Sequence, residues 1–371
     1  MAILYTSPLR FETIAKEFVK VFVLPIRDAY VYRNFKLFED SINYVKAFRS
    51  YSKNKLREWG NKGLLNMRPC PLCASHKFEP RLKTPDDVAY VSCSNCEFVF
   101  MNPAPYQSAY NAVYESGYDG LLTAWEKTKD ENGMCDYRLE KYFGLDLIRR
   151  YQKGGKFLDY GCGSGWVLRL AKRDYDVTGM DIDPNQLARI RSLLNIDSLI
   201  EGDITQGLPA SLHGVFDVIH SNQNLEHILE PRRCVAEWNK GLKPGGFLFI
   251  ACPSIDSFAF DVFAGQNSMA VLTHVSLFSL QTIQYLLESE GFEVVERGSY
   301  ARDITAYEYW QHKMNPSPHL FEHRHAFLTY PKTAIALGCP LWMMTELYFY
   351  YEMVRRKEKF GNYLYCLARK K

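Results

Sequence analysis

The chain has 371 residues, 47% of them hydrophobic and 23% charged, with 45 Lys and Arg against 42 Asp and Glu and a net charge of +3. That length and balance describe a globular chain of more than one structural unit, and they exclude a disordered chain and a strong overall pull toward nucleic acid. Ten cysteines, four of them in two CxxC pairs, suit a reducing compartment better than a disulfide framework. The N-terminus shows no charged-then-apolar leader and no uncharged apolar run of spanning length, so a cytoplasmic location is expected.

Residues 1–63 read as a helical N-terminal segment, and they hold 12 Lys and Arg against 6 Asp and Glu. Phe11, Ile14, Ala15, Phe18, Val19 and Phe22 recur on one helical stripe, which Pro25 ends. Val31, Phe35, Phe38, Ile42 and Val45 make a second stripe. Such stripes pack on the body of the protein or form a homodimer contact; a basic amphipathic face lying on an acidic membrane is the alternative.

Cys70-Pro-Leu-Cys73 and Cys93-Ser-Asn-Cys96 follow within residues 64–105, with nineteen residues between the pairs. This is the spacing of a four-cysteine zinc ribbon, in which Cys70, Cys73, Cys93 and Cys96 close one tetrahedral, structural Zn2+ site. Such knuckles usually carry glycine after the second cysteine, whereas Ala74 and Glu97 stand there. A turn of positive φ at those positions costs up to about 1–2 kcal/mol. The ribbon's basic and acidic residues balance, which disfavours RNA as a partner. A connector at 106–135 holds Tyr106, Tyr110, Tyr114 and Tyr118, which either stack on a sugar or pack the ribbon against the rest.

The stretch Lys156–Val167, KFLDYGCGSGWV, organises the remainder. An apolar run ends in Asp159, and Gly161, Gly163 and Gly165 then lead into an apolar run with helical character. A strand that turns directly into a helix needs glycine, and the helix N-terminus offers free N–H groups to a nucleotide-like ligand with an anionic end. Val177–Asp181 reads as a second strand ending in a carboxylate at the distance of a ribose-binding acid. Glu201–Asp203 closes a third strand, Phe216–Ser221 forms a fourth, and Leu242–Gly246 leads into a fifth at Phe247–Cys252. Asn222–Ile228 follows the fourth strand at the sheet edge where open α/β sheets bind ligands.

The pieces DYGCGSG, GMDID, EGDI, FDVIHSNQNLEHI and LKPGGFLFIACP, in this order and spacing, resemble the class I S-adenosylmethionine (SAM) dependent methyltransferases. CPLC, CSNC and VFMNPAP resemble the subset of that family with an N-terminal zinc ribbon, whose members often serve surface-polysaccharide, deoxysugar or secondary-metabolite pathways. The resemblance covers roughly residues 68–298 and a last strand near Tyr363–Arg369. It implies an α/β fold with a Rossmann-like, mostly parallel seven-stranded sheet in a SAM-dependent methyltransferase domain at 136–371. It also implies that Asp159 meets the methionine amino group and that Gly161, Cys162 and Gly163 let the backbone approach the cofactor. By the same resemblance Asp181 takes the ribose hydroxyls, Ile182 lies against adenine, Asp203 accepts from the adenine amino group, and Asn222 belongs to the cofactor site.

The sulfonium of SAM already makes its methyl electrophilic, so the protein must align the acceptor, exclude water and remove a proton. His227 is the first candidate base, with Glu226 orienting it or holding structure, and His274 is the second. An acid–histidine pair recurs at that place on family members with unlike substrates, so a structural role is an equal expectation. His220 reads as core, Ser279 as the N-cap of the helix through Leu287, and Gly291 as its stop.

An insertion at 299–362 interrupts the last hairpin. Its His312, His319, His323 and His325 have no compelling ligand spacing. The apolar Thr333–Val354 forms a lid or dimer face, or touches a membrane that carries a lipid-linked substrate. The expected function is SAM-dependent, in-line methyl transfer to a small-molecule, glycan or lipid-linked acceptor. The alternatives are an RNA methyltransferase that grips its substrate with the ribbon, and a SAM-binding interaction module without chemistry.

Overall fold

The computed structural model describes residues 35–115, 142–203, 207–267, 269–300 and 347–371. The stripe at Phe11–Phe22, Tyr118, and the histidines at 312, 319, 323 and 325 lie outside the described residues.

A long helix, α1 (Phe35–Asn61), opens the described chain. Its C-terminal half packs inward: Phe48 and Trp59 are buried in one cluster with Tyr90, Val99 and Tyr110. The short strand β1 (Leu65–Asn66) follows. Next come β2 (Phe78–Lys83), β3 (Ala89–Cys93) and β4 (Val99–Met101), an antiparallel run. β5 (Ala104–Pro105) pairs back onto β1, and α2 (Gln107–Glu115) follows it.

The second half is an α/β unit. It contains α3 (Phe143–Tyr151), β6 (Lys156–Tyr160), α4 (Trp166–Ala171), β7 (Asp176–Asp181), α5 (Pro184–Leu194) and β8 (Leu199–Glu201). β9 (Phe216–Asn222), α6 (Pro231–Gly241), β10 (Leu242–Pro253), α7 (Phe258–Phe263) and β11 (Ser276–Leu277) come next. The chain closes with α8 (Leu280–Ser289), β12 (Phe292–Tyr300), a helix over 347–356, and β13 (Tyr363–Lys370).

The main sheet has seven strands in the order β12-β13-β10-β9-β6-β7-β8. β13 runs antiparallel to both neighbours, and the other pairs are parallel. Central strands of such a sheet are covered on both faces, which is why β10 reads as an unbroken apolar run rather than an alternation. Leu248, Ile250 and Cys252 face one core with Trp238 of α6 and Leu286 of α8. Phe247, Phe249 and Ala251 face the other, with Ile148 of α3 and Ile190 of α5. The strand order reverses at β6, whose neighbours are β7 on one side and β9 on the other. That switch point, at the carboxyl ends of the strands, is where open α/β sheets leave a crevice.

The ribbon strands are joined to this unit. β11, from the segment before α8, adds to β4 with Ser276 opposite Phe100 and Leu277 opposite Val99. Cys70, Leu72, Phe98 and Phe100 share one core with Leu248, Ile250 and Phe278. The N-cap at Ser279 is a capping box with Thr282, and Gly291 adopts φ +85° past the end of α8.

The knuckle residues Ala74 and Glu97 adopt φ +58° and +62°, and their N–H groups donate to Cys70 O and Cys93 O. Both are exposed, so glycine there removes the left-handed strain without opening a cavity. Ala74→Gly or Glu97→Gly is expected to raise unfolding free energy by about 0.5–1 kcal/mol, after allowance for the added entropy of the unfolded chain. Denaturant titration checks it.

Among the described residues no helix is long and apolar enough to cross a membrane.

Candidate functional site

The glycine loop closes β6 at the switch point. Gly161 N and Cys162 N donate to Met180 O at 2.8 and 3.0 Å, which pins the turn to β7. Gly163 sits at φ +48° with open space where a Cβ would be, and its N–H donates to Asp181 Oδ2 at 2.8 Å. A Cβ on Gly165 would lie 2.7 Å from Ile190, so this glycine lets the loop press onto α5. The Cys162 side chain is buried in the core under the loop, and burial pushes its thiol up.

Asp181 ends β7 half-buried, and its Oδ1 accepts from Asp183 N at 3.0 Å. Burial holds its carboxyl above the ordinary range against these backbone donors. Ile182 beside it is 39% exposed, an apolar side chain left facing outward next to a carboxylate. Asp203 accepts from Asn111 Nδ2 of α2 at 3.1 Å. Asn222 ends β9 with its Oδ1 buried and unpartnered. The neighbouring Asn224, which sequence reasoning passed over, donates to Tyr160 O, Gly161 O and Asn222 O at 2.9, 3.3 and 3.0 Å.

Asp159 is 3% exposed, and its Oδ1 accepts from His220 Nδ1 at 2.7 Å. His220 is fully buried, as its place in the strand suggested, stacked on Phe249 and Phe157. Its Nε2 lies 3.2 Å from Tyr142 Oη. The parallel pairing of β6 with β9 sets Asp159 opposite His220, a link between residues 61 apart that no local pattern signals.

Past β9, Glu226, His227 and His274 come together; one ligand atom from each lies within 4.8 Å of the others. The two imidazole rings are 4.7 Å apart at 77°. Since a carbonyl can only accept, His227 Nδ1–H donates to Thr273 O and His274 Nδ1–H donates to Met269 O, each at 2.8 Å. That leaves the Nε2 lone pair of each ring available. Burial lowers His227 to about 4 and His274 to about 3, so both rings are neutral at physiological pH. Glu226 is 1% exposed with both oxygens unpartnered, and burial pushes its carboxyl up to about 8.

The connector tyrosines hold this corner. Tyr110 Oη donates to Thr273 O at 2.7 Å, and Tyr114 Oη lies 3.0 Å from Tyr110 Oη and 2.8 Å from His227 Nδ1. Tyr106 is 50% exposed. Sequence reasoning had no means to join Tyr114 to His227, 113 residues away.

The four ribbon cysteines cluster within 4.8 Å of one another. Cys70 and Cys96 sulfurs are 3.5 Å apart, as are those of Cys73 and Cys93. A disulfide would need about 2.05 Å. Four thiolates around a zinc at about 2.3 Å stand about 3.8 Å apart, so the donor set and its spacing fit a tetrahedral ion.

The fold is an open α/β sheet with its glycine loop at the switch point, and comparison with known proteins gives it a class. The profile of the methyltransferase domain family matches residues 134–297. A ubiquinone biosynthesis O-methyltransferase of Pectobacterium atrosepticum is 36% identical over 26% of this chain and 42% of that protein. One from Xanthomonas campestris is 31% identical over 41% of this chain and 66% of that protein. The chain thus spans about half the length of these relatives. A SAM-dependent methyltransferase structure from Mesorhizobium loti is 16% identical, with a TM-score of 0.40, over 64% of this chain and 100% of that one. Residues 134–297 thus form a methyltransferase domain of the SAM-dependent class.

Proposed function

We propose that the chain transfers the methyl group of SAM to a hydroxyl of a small-molecule acceptor. The observation that carries this reading is the juxtaposition at one sheet edge. The glycine loop, Asp159 and Asp181 stand at the switch point, and the Glu226–His227–His274 group follows the adjacent strand. The oxygen acceptor is favoured by the activity for which the relatives are named, O-methylation in ubiquinone biosynthesis.

The residues present fit SAM. Asp181 keeps lone pairs for the ribose hydroxyls beyond its two backbone bonds. Ile182 offers an exposed apolar surface to adenine. Gly163 leaves room for the methionine portion, and Asn222 Oδ1 is a buried acceptor in need of a donor. Asp159, oriented by His220, receives the methionine ammonium. SAM, when bound, supplies an electrophilic methyl. The Glu226–His227–His274 corner would then position the acceptor hydroxyl in line with that methyl and ease the loss of its proton. Cys70, Cys73, Cys93 and Cys96 would hold a structural Zn2+, which would fix the ribbon whose strand β4 pairs with β11.

His220→Phe keeps the ring stack but removes the donor to buried Asp159. It is expected to weaken SAM binding by about 10–100-fold, the loss of one charge-assisted hydrogen bond. Calorimetry reads it, and unchanged affinity removes Asp159 from the cofactor reading.

The test of function is to incubate the protein with methyl-labelled SAM and a cell extract, then separate small molecules, lipids, glycans, RNA and protein. Label in a small-molecule fraction as a base-stable methyl ether supports the proposal. Label in RNA supports the ribbon as a nucleic-acid grip, and SAM binding without label in any fraction supports a binding module.

A further inference from the structure

We propose that Glu226, His227 and His274 form a second metal site, separate from the ribbon, that takes one divalent transition-metal ion and uses it to hold the acceptor hydroxyl. Glu226 is the residue without a satisfied environment. Its carboxylate is 1% exposed, and neither oxygen has a hydrogen-bond partner. A buried carboxyl left without a donor is costly, and buried carboxylates are ordinarily paired with a cation or bound to a metal. Two imidazoles stand beside it, each with its Nδ1–H fixed on a backbone carbonyl, Thr273 O for His227 and Met269 O for His274. This is how metal-binding histidines are held: the second nitrogen is tied to a carbonyl, which sets the tautomer and leaves Nε2 to the metal.

The spacing is compatible. One ligand atom from each residue lies within 4.8 Å of the others. Ligand atoms about 2.1 Å from one ion stand about 3.0–4.2 Å apart, so side-chain shifts of about 1 Å close the site. Two nitrogens and one carboxylate oxygen suit Mn2+, Fe2+, Co2+ or Zn2+ rather than Ca2+ or Mg2+, which prefer all-oxygen shells. Three protein ligands leave coordination positions open, the mark of a site that binds substrate. The supports are themselves tied down. Tyr110 donates to the same Thr273 carbonyl, and Tyr114 reaches His227 Nδ1. A bound cation would carry the acceptor oxygen and favour its ionised form, the form whose lone pair attacks the methyl; the proton passes to solvent.

This inference rests on the proposed methyl transfer only for its acceptor role; the site itself does not. Full-length protein with its ribbon metal retained is titrated with Mn2+, followed by electron paramagnetic resonance of the free ion. It is titrated separately with Co2+, followed by visible absorption. Mn2+ avoids the thiolate ribbon, and Co2+ in a nitrogen–oxygen site lacks the sulfur charge-transfer band of a four-cysteine site. The expected result is one binding event beyond the ribbon, weakened by roughly 10–100-fold or more in Glu226→Gln and in His274→Gln. Unchanged SAM binding and ribbon metal content in these variants show that they fold. No Mn2+ or Co2+ event beyond the ribbon, or one indifferent to both substitutions, overturns the site. If the metal binds but no acceptor fraction takes label, the site stands and the methyl-transfer reading fails. If label transfer persists unaltered after the second metal is chelated, the acceptor role fails and the methyl-transfer reading stands.

Discussion

Asp181→Ala is expected to weaken SAM binding by about 100–1000-fold, which calorimetry measures on the purified chain. Two effects combine. In the proposed complex the carboxylate accepts from both ribose hydroxyls, and hydrogen bonds to a charged group are worth about 1.5–3 kcal/mol each. The same carboxylate also fixes the loop, through Gly163 N on Oδ2 and Asp183 N on Oδ1. Alanine therefore removes ligand contacts and loosens the turn that presents Gly163. Counting about 1.4 kcal/mol per tenfold, a loss of about 3–4 kcal/mol gives the stated range. The dependence on pH has a defined sign. Burial raises the Asp181 carboxyl above its ordinary value. The acceptor form is the ionised one, so affinity falls on acidification, beginning at a higher pH than for an exposed aspartate. Affinity within threefold of the parent in Asp181→Ala would remove the ribose assignment.

Loss of the zinc proposed for the ribbon is expected to carry the largest stability effect. Cys96→Ser, or treatment with a strong chelator, is expected to lower the melting temperature by roughly 10 °C or more. A structural zinc contributes apparent binding energy of about 10–16 kcal/mol in small domains, although part of that is recovered when the rest of the chain stays folded. Removal of even about 3–5 kcal/mol shifts a domain of this size by roughly 6–20 °C. The effect should spread beyond the knuckles. Cys70, Leu72, Cys93, Phe98 and Phe100 share a core with Phe278 and Leu280, and β4 pairs with β11. His274 stands two residues before β11, so the ribbon supports the acceptor corner. Differential scanning fluorimetry with and without chelator reads the shift. A protein that purifies without zinc and melts identically in chelator would leave the cysteines as free thiols.

The sheet was legible in the chain because each strand announces itself locally. Phe247–Cys252 is a long apolar run between a Pro-Gly-Gly turn and a proline, and it lies within β10. Val177–Asp181 ends on its carboxylate as β7 does. Ser279 and Gly291 bracket α8 because capping chemistry is short-range. The cysteine cluster was legible for a similar reason: two CxxC knuckles carry their own geometry, and only their meeting needed the fold. The strain at Ala74 and Glu97 followed from the knuckle turn itself.

The sequence by itself determined the mostly parallel sheet, the glycine loop with its two acids, and the four-cysteine pairing, because these depend on residues within a turn or a strand of one another. Only the tertiary structure decided what lies across the sheet edge. It set His220 against Asp159, brought His274 to His227 and an unpartnered Glu226, and carried Tyr114 onto the same ring. It also joined the ribbon to the transferase unit through a two-residue strand too short to register as a pattern. Each of these depends on chain segments far apart in sequence, whose meeting is set by how strands order themselves and how two cores close. Local propensity and spacing carry no trace of that.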